Sequence, residues 1–445
     1  RCISAKASSG GTTVIDGFTF KNGRTLYGDG QQESGYGGGL YLIGRATCEE
    51  TLPSEVSNCR FVNCEGTYGG GVSTVGGVFR SCWFEDNVAT NEWADAGSTT
   101  KYRGGIGGGM VIPAVRVQSD TSADYTEACL WHATGLIDCT FKNNVVETSG
   151  GGVAALLREE NCVPSIVYAS GCLFEGNHSR TTRADAGFGS GLYGIARSLV
   201  TNCVFQGNVG GYYGALFCRD NCRLADCSVT DGNQGTYAAL VAMEGVEMDR
   251  CHVACNTSHG LFGSCAARNC LFESTLGYTA VRLYGSNKSA SFENCTIVGS
   301  GLAAAKFDVG QVMSISFVNS IVWRDGGEEI FQGFTDKQSL SAENTCFSME
   351  SAVFGTMVVT KRTDCKVADP VFRNPSKGNW RIRRSSPCRD TGKFTEGMDA
   401  SSVDFDRNPR VVTDGVTLAE NPSALPDMGC FENQQEPRGF ALSIR

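Results

Sequence analysis

The chain has 445 residues, of which 57 are glycine and 10 proline, with 19% charged side chains and a formal net charge of -9. That balance is too apolar for disorder and lacks the strict triplet of collagen. An acidic excess also argues against a nucleic-acid partner, which needs clustered Lys and Arg.

In chain order, the first signal is the absence of a charged-then-apolar leader at Arg1-Cys2, with Ile3 to Phe20 already resembling the repeat that follows. An upstream cap is therefore expected to have been removed or to lie outside this sequence, and export is expected. No run approaches the roughly 18 apolar residues of a membrane helix.

From residue 58 a short pattern recurs: Asn58-Cys-Arg-Phe-Val-Asn-Cys64, Ser81-Cys-Trp-Phe-Glu-Asp-Asn87, Asp138-Cys-Thr-Phe-Lys-Asn-Asn144, Gly171-Cys-Leu-Phe-Glu-Gly-Asn177 and Asn202-Cys-Val-Phe-Gln-Gly-Asn208. Weaker copies follow to Ser320/Val322 at a period of about two dozen residues, the signature of stacked coils. Alternation of strand faces turns Cys and Phe the same way, inward.

Three positions earlier runs a second apolar column, Val56, Phe79, Leu136, Ala169, Val200, Leu224, Met248, Ala267, Phe292 and Phe317. A third follows glycine-rich turns at Leu40, Val72, Met110, Val153, Leu192 and Leu216, continuing at Leu240, Leu261 and Val281. The fold class is therefore all-β: a right-handed parallel β-helix with three strands per coil and about 11–13 coils. Residues 1–345 form the helix, with loop insertions concentrated in 24–190, and 346–445 the last coils and an irregular C-terminal capping segment.

Asparagine marks the turns because it tolerates the left-handed region and bonds to turn backbone. Asn87, Asn144, Asn177, Asn208 and Asn256 are expected to stack at one corner, and Asn58, Asn202, Asn269, Asn294 and Asn319 at another.

The chain carries 22 cysteines. Nine of them, Cys59, Cys82, Cys139, Cys172, Cys203, Cys227, Cys251, Cys270 and Cys295, share the inward column, where a spacing of roughly 4.8 Å with parallel Cβ vectors suits a disulfide poorly. They read as a ladder of buried free thiols; a metal-binding stack is the alternative, with no interleaved His or carboxylate to support it. Among the rest, Cys129 with Cys162, Cys218 with Cys222 and Cys346 with Cys365 are candidate bridges, while Cys222 and Cys265 equally suit the core. An oxidising compartment is favoured.

Gly-Gly-[Ala/Gly]-[Leu/Val/Met] paired with Phe-x-x-Asn, over residues 14–325, resembles the repeats of chlamydial polymorphic outer membrane proteins, whose exported passenger regions are adhesive β-helices. The tail, Asp369-Pro-Val-Phe through Ser386-Pro-Cys-Arg-Asp-Thr-Gly392, Asp404-Phe-Asp-Arg-Asn-Pro-Arg410 and Asp427-Met-Gly-Cys-Phe-Glu432, resembles the closing segment of secreted β-helix proteins of the choice-of-anchor type. The resemblance implies an extracellular or cell-surface location; no C-terminal membrane barrel is visible. From the residues themselves, six of ten prolines lie in this tail and end the regular ladder, as a cap over the last exposed edge requires.

The insertions are where repeat proteins place binding surfaces. They carry Trp93, Asp95, Tyr102, Arg103, Trp131 and Asp185, together with Tyr27, Tyr125 and Tyr168, a mixture suited to a polysaccharide or cell-surface glycan; pinning of the loops by the aromatics is the alternative. Ala94-Asp-Ala-Gly97 recurs as Ala184-Asp-Ala-Gly187. Asp404, Asp406, Asp427 and Glu432 offer oxygens for a structural calcium ion, against turn-forming and Arg-pairing roles. No catalytic residues are assigned: paired carboxylates on adjacent coils are not found, and His259 reads as a turn residue. Adhesion or glycan binding is the favoured function, with a filament or surface-layer subunit assembled end to end second, and a polysaccharide lyase or glycoside hydrolase third.

Overall fold

The structure is a computed structural model. It describes residues 1–6, 12–25, 35–43, 54–90, 105–113, 115–116, 133–155, 162–163, 165–181, 187–230, 232–255, 257–274, 278–285, 288–299, 303–307, 313–324, 330–333, 335–348, 357–413, 416–417 and 424–434. Two compact units are present: Arg1–Glu247 with His252–Cys265, and Met248–Cys251 with Ala266–Arg445. The tail thus shares a unit with the coils from Ala266 onward.

In the first unit the chain winds through parallel strands that pair coil upon coil. Glu55–Ser57, Arg60–Val62 and Val72–Val75 make one representative turn. Arg60, Trp83, Thr140, Leu173 and Val204 stand in register along one wall, and Val56, Phe79, Leu136, Ala169 and Val200 along another. Among the described residues the wall bearing Cys-x-Phe counts thirteen parallel strands, so the fold is a parallel β-helix. Two-residue strands such as Glu65–Gly66 and Val88–Ala89 add a fourth, narrow ladder. Among the described residues the only helical element is a single 3-10 turn, Pro375–Lys377.

All three expected apolar columns are buried. Phe20, Phe61, Phe84, Phe141, Phe174 and Phe205 form one stack, with centroids 4.4–5.0 Å apart and ring planes within 12° of parallel. The register imposes this geometry, and each buried ring adds its apolar area to the core. The column cysteines are buried free thiols, and their sulfurs approach backbone carbonyls: Cys139 Sγ lies 3.4 Å from the Phe79 oxygen and Cys172 Sγ 3.3 Å from that of Leu136. Burial pushes the neighbouring core thiols Cys64 and Cys222 up to about 11, so they stay protonated at neutral pH.

The two asparagine corners differ. Asn87, Asn144, Asn177 and Asn208 are fully buried, each Nδ2 donating to the next Oδ1 at 2.9–3.0 Å and to a phenylalanine carbonyl, and the series ends on Asn233. Asn233 is a rung that the sequence reading did not include; Asn256 lies outside the described residues. At the other corner Asn58, Asn202, Asn269, Asn294 and Asn319 all have φ of 49–53°. The glycine turn is equally specific: at Gly69, with φ of 77°, an added Cβ would sit 2.1 Å from the Val72 oxygen.

The suggested bridges are corrected where they are described: Cys218, Cys222, Cys346 and Cys365 are free. Cys218 Sγ turns to the Val241 carbonyl and Cys222 Sγ to that of Ile195, in different coils. Cys346 pairs in register with Ile321 and Lys366, so Cys365 is one residue out of step with it, and strand alternation sends the two thiols to opposite faces. Cys129 lies outside the described residues, as does the side chain of Cys162.

Candidate functional site

In the second unit the left-handed corner is the foundation of a site. Asp249-Arg250, Arg268-Asn269, Glu293-Asn294 and Val318-Asn319 bring charged or amide side chains to successive coils, because each coil must turn there before its column residue. Asn319 Nδ2 donates to Asn294 Oδ1 at 3.1 Å, and Asn269 Nδ2 to Asp249 Oδ1 at 3.1 Å.

The tail docks along this corner and over the outer face of the adjacent wall. Asn319 Nδ2 donates to the Lys393 carbonyl at 2.7 Å and Asn319 Oδ1 accepts the Lys393 N–H at 2.8 Å. Asn344 Nδ2 donates to the Thr391 carbonyl, Lys393 Nζ pairs with Glu343 at 2.7 Å, and Cys430 N–H donates to Thr296 Oγ1 at 3.0 Å. Trp380 Nε1 donates to Glu273. Leu271, Val298, Ile321 and Cys346, which face away from the coil interior, are buried against Phe372, Ile382, Cys388, Met428, Cys430 and Phe431.

The tail packs along the outer face of these coils. Val358–Thr363, paired with the preceding coil on one side only among the described residues, stays exposed along its whole length.

Between corner and tail lies a pocket of about 230 Å³. Asp249, Arg250, Arg268, Asn269, Glu293 and Asn294 form one side; Thr395, Ser401, Ser402 and Arg410 belong to the other. Arg250 pairs with Asp249, and Arg268 Nε lies 3.3 Å from Glu293 Oε1, which also accepts the Thr395 hydroxyl at 2.6 Å. Arg410 is 1% exposed and, among the described residues, is the largest fully buried side chain. Its Nη2 donates to the Asp427 and Gly429 carbonyls at 2.9 and 2.5 Å, whereas its Nε and Nη1, and Asn269 Oδ1, are buried without a partner. These three atoms lie inside the pocket wall with almost no exposed surface, so the polar groups that a ligand can meet are the other side chains of that wall.

Behind Arg410 the tail closes on buried carboxylates. Asp404 accepts the N–H groups of Asn408 and Glu432 at 2.8 and 3.0 Å, Asp427 those of Asp390 and Asn433 at 2.7 and 2.6 Å, and Glu432 those of Val412 and Asp427 at 3.0 Å each. Burial raises all three acids, Asp427 to about 6 and Glu432 well above its usual range, where the Asp427 charge adds to the effect.

The four expected calcium ligands are not gathered at one point. Asp406 instead grips Arg381 at 2.6 and 2.8 Å, and the converging group is Asp390, Asp427 and Glu432, with ligand atoms within 4.8 Å. Six to eight oxygens are usual for calcium, and here the Asp427 and Glu432 oxygens already accept backbone N–H groups beside a buried guanidinium.

Trp93, Asp95, Tyr102, Arg103, Trp131 and Asp185 lie outside the described residues, as do Tyr27, Tyr125, the whole of the first Ala-Asp-Ala-Gly copy and the second copy before Gly187. Tyr168 is described, 39% exposed on the strand Val167–Ser170. His259, expected in a turn, opens the strand His259–Arg268. The pocket itself was missed as a site in the sequence; its signal was the recurrence of a charged residue beside the corner position, Asp249-Arg250, Arg268-Asn269 and Glu293-Asn294.

No family model matches the chain, and no curated protein matches it. Among solved structures, pectate lyase Pel9A is similar with a TM-score of 0.42 and 9% identity, over 88% of this chain and 88% of that one. The Dettilon tailspike protein gp208 is similar with a TM-score of 0.32 and 8% identity, over 81% of this chain and 63% of that one. The β-helix assignment rests on the strand pairing itself.

Proposed function

We propose that this protein is an exported or cell-surface β-helix that binds glycans, with the pocket between the left-handed corner and the tail as one contact site. The observation that carries the reading is the wall of carboxylate, guanidinium, amide and hydroxyl groups that lines the pocket. Hydroxyl-rich ligands both donate and accept, and this wall offers both. At about 230 Å³ the pocket is smaller than the roughly 300–1,000 Å³ of a drug-sized site, which suits a single sugar unit of a chain running outside. The likeness of the repeat to adhesive passenger regions supports a surface location.

Binding is favoured over cleavage because a hydrolase needs one carboxyl free to hold a proton and a second to act as base or nucleophile. Asp249 and Glu293 are each engaged by an arginine. The test is a glycan array followed by calorimetry with Glu293→Gln and Ser402→Ala. Affinity should fall at least about tenfold, or roughly 1.4 kcal/mol, for a lost charged hydrogen bond. Unchanged affinity in both, with loss in Trp93→Ala or Trp131→Ala, moves the site to the loops; turnover of an acidic polysaccharide replaces binding with catalysis.

A second reading, a filament or surface-layer subunit, is favoured by the exposed edge Val358–Thr363, where Val358 and Val359 are 49% and 41% exposed. Unpaired edges template further strands. Concentration-dependent sedimentation that disappears in Val359→Pro supports it, and a monomer at all concentrations removes it.

A further inference from the structure

The column of the Cys-x-Phe wall repeats its thiols with one geometry. In the first unit Cys59, Cys82, Cys139, Cys172, Cys203 and Cys227 are buried and free, and the carbonyl of each of the first five accepts an N–H from the next coil at 2.9 Å, from the residue after that coil's cysteine. Every Sγ lies 3.1–3.5 Å from the carbonyl oxygen two residues before it. Cys59, Cys82, Cys139, Cys172 and Cys227 also reach a carbonyl of the preceding coil at 3.3–3.7 Å, those of Ile15, Val56, Phe79, Leu136 and Val200. The six sulfurs therefore stand in single file, one per coil, at the roughly 4.8 Å spacing of paired strands. The fold itself does not ask for sulfur here. In the second unit Ser320 takes a column place, and its hydroxyl lies 2.9 and 3.1 Å from the Val318 and Phe292 carbonyls, the same two contacts.

We propose that this column binds a soft monovalent cation, Cu(I), held in linear two-coordination between successive thiolates. Thiolates select Cu(I), whereas zinc asks for four ligands around it, and consecutive hydrogen-bonded strands admit no histidine or carboxylate between the rungs. With about 2.3 Å for a metal–thiolate bond, two opposed sulfurs span about 4.6 Å across a cation, close to the coil rise. Strand register alone produces this match, and it repeats in every gap from Cys59 to Cys227.

Each thiol gives its proton to solvent as its sulfur–metal bond forms, and the copper keeps its oxidation state. A single filled pair would bury one negative charge, which is costly. A sulfur shared by two cations serves both, so six thiolates and five monovalent cations leave one negative charge over the whole run. Filling is therefore cooperative along the column. Because these sulfurs belong to residues 0–3% exposed, loading takes place as coils form or open. The site is separate from the glycan pocket and does not depend on it.

The full chain is refolded anaerobically with Cu(I) supplied as its glutathione complex, desalted and weighed by native mass spectrometry. Cys139→Ser splits the run into Cys59–Cys82 and Cys172–Cys203–Cys227, which removes two of its five gaps, so it should retain at least two copper ions fewer than the unsubstituted chain. Cys222→Ser, at a buried thiol off the column, should retain the full number. Copper X-ray absorption should show two sulfurs at about 2.3 Å. The loaded chain should melt above the metal-free reduced chain, because only the folded state lines the sulfurs up. Equal retention in the two variants, coordination by three sulfurs, absence of retained copper or a lowered Tm overturns the proposal. If Cys139→Ser does not fold, the absorption spectrum and Tm of the unsubstituted chain decide.

Discussion

Leu173 and Ile321 hold equivalent places on the Cys-x-Phe wall, each one residue after the column position, yet their surroundings differ. In the first unit the outward residues Arg60, Trp83, Thr140, Leu173 and Val204 are exposed or half-buried, and the strands alternate strictly around a buried phenylalanine. In the second, Leu271, Thr296, Ile321 and Cys346 are buried, as are the inward residues beside them. A wall with one solvated face needs polar-in-alternation sequence, whereas one covered on both faces becomes continuously apolar. The tail is that second covering, and it carries the polar pocket at its edge.

Four outcomes would break or sharpen this contrast. The largest is expected where both regions depend on the interior: Phe141→Ala removes the middle of the ring stack and should cost about 3–5 kcal/mol in chemical denaturation. Next, Ile321→Ala should cost about 2–4 kcal/mol while Leu173→Ala costs about 1; equal losses would deny that the tail buries Ile321. Gly429→Ala should lift the tail, since its Cβ would stand 2.8 Å from Ile321 Cδ1 and Thr296 Oγ1 at a φ of 96°. About 2 kcal/mol is expected, read as faster hydrogen exchange in 269–274 and 294–299 with the first unit unchanged.

The fourth concerns pH. Asp404, Asp427 and Glu432 bind protons more tightly folded than unfolded, so the fold takes up protons between the ordinary carboxylate range and the raised values. Stability of the second unit should be greatest near pH 4 and fall as pH rises through about 6, by roughly 2 kcal/mol, with a flatter profile in Asp427→Asn. A second unit that weakens on acidification from pH 7 to 5 would contradict the burial argument.

The interior was legible in the sequence because one physical rule, alternation at a fixed period, placed every wall from Leu40 to Phe317 on the correct side. The asparagine corners were legible as turns, but their separation into a buried ladder and a left-handed docking edge depends on which side chain the neighbouring coil can satisfy. The tail is legible as an irregular cap from its prolines, which do not say which coils it packs against. The clue was Leu271-Phe272, Thr296-Ile297-Val298 and Ile321-Val322-Trp323, where the polar outward residue disappears. The candidate bridge from Cys346 to Cys365 missed that the two differ by one step in register.

The placement of the tail is tested most directly by zero-length carbodiimide cross-linking of the native chain, because Lys393 Nζ and Glu343 Oε2 lie 2.7 Å apart. A peptide joining Lys393 to Glu343, alongside one joining Lys361 to the same carboxylate, is the predicted product. Recovery of the Lys361 product alone, with Lys393 joined elsewhere or unreacted, would place the tail off the flank and remove the pocket with it.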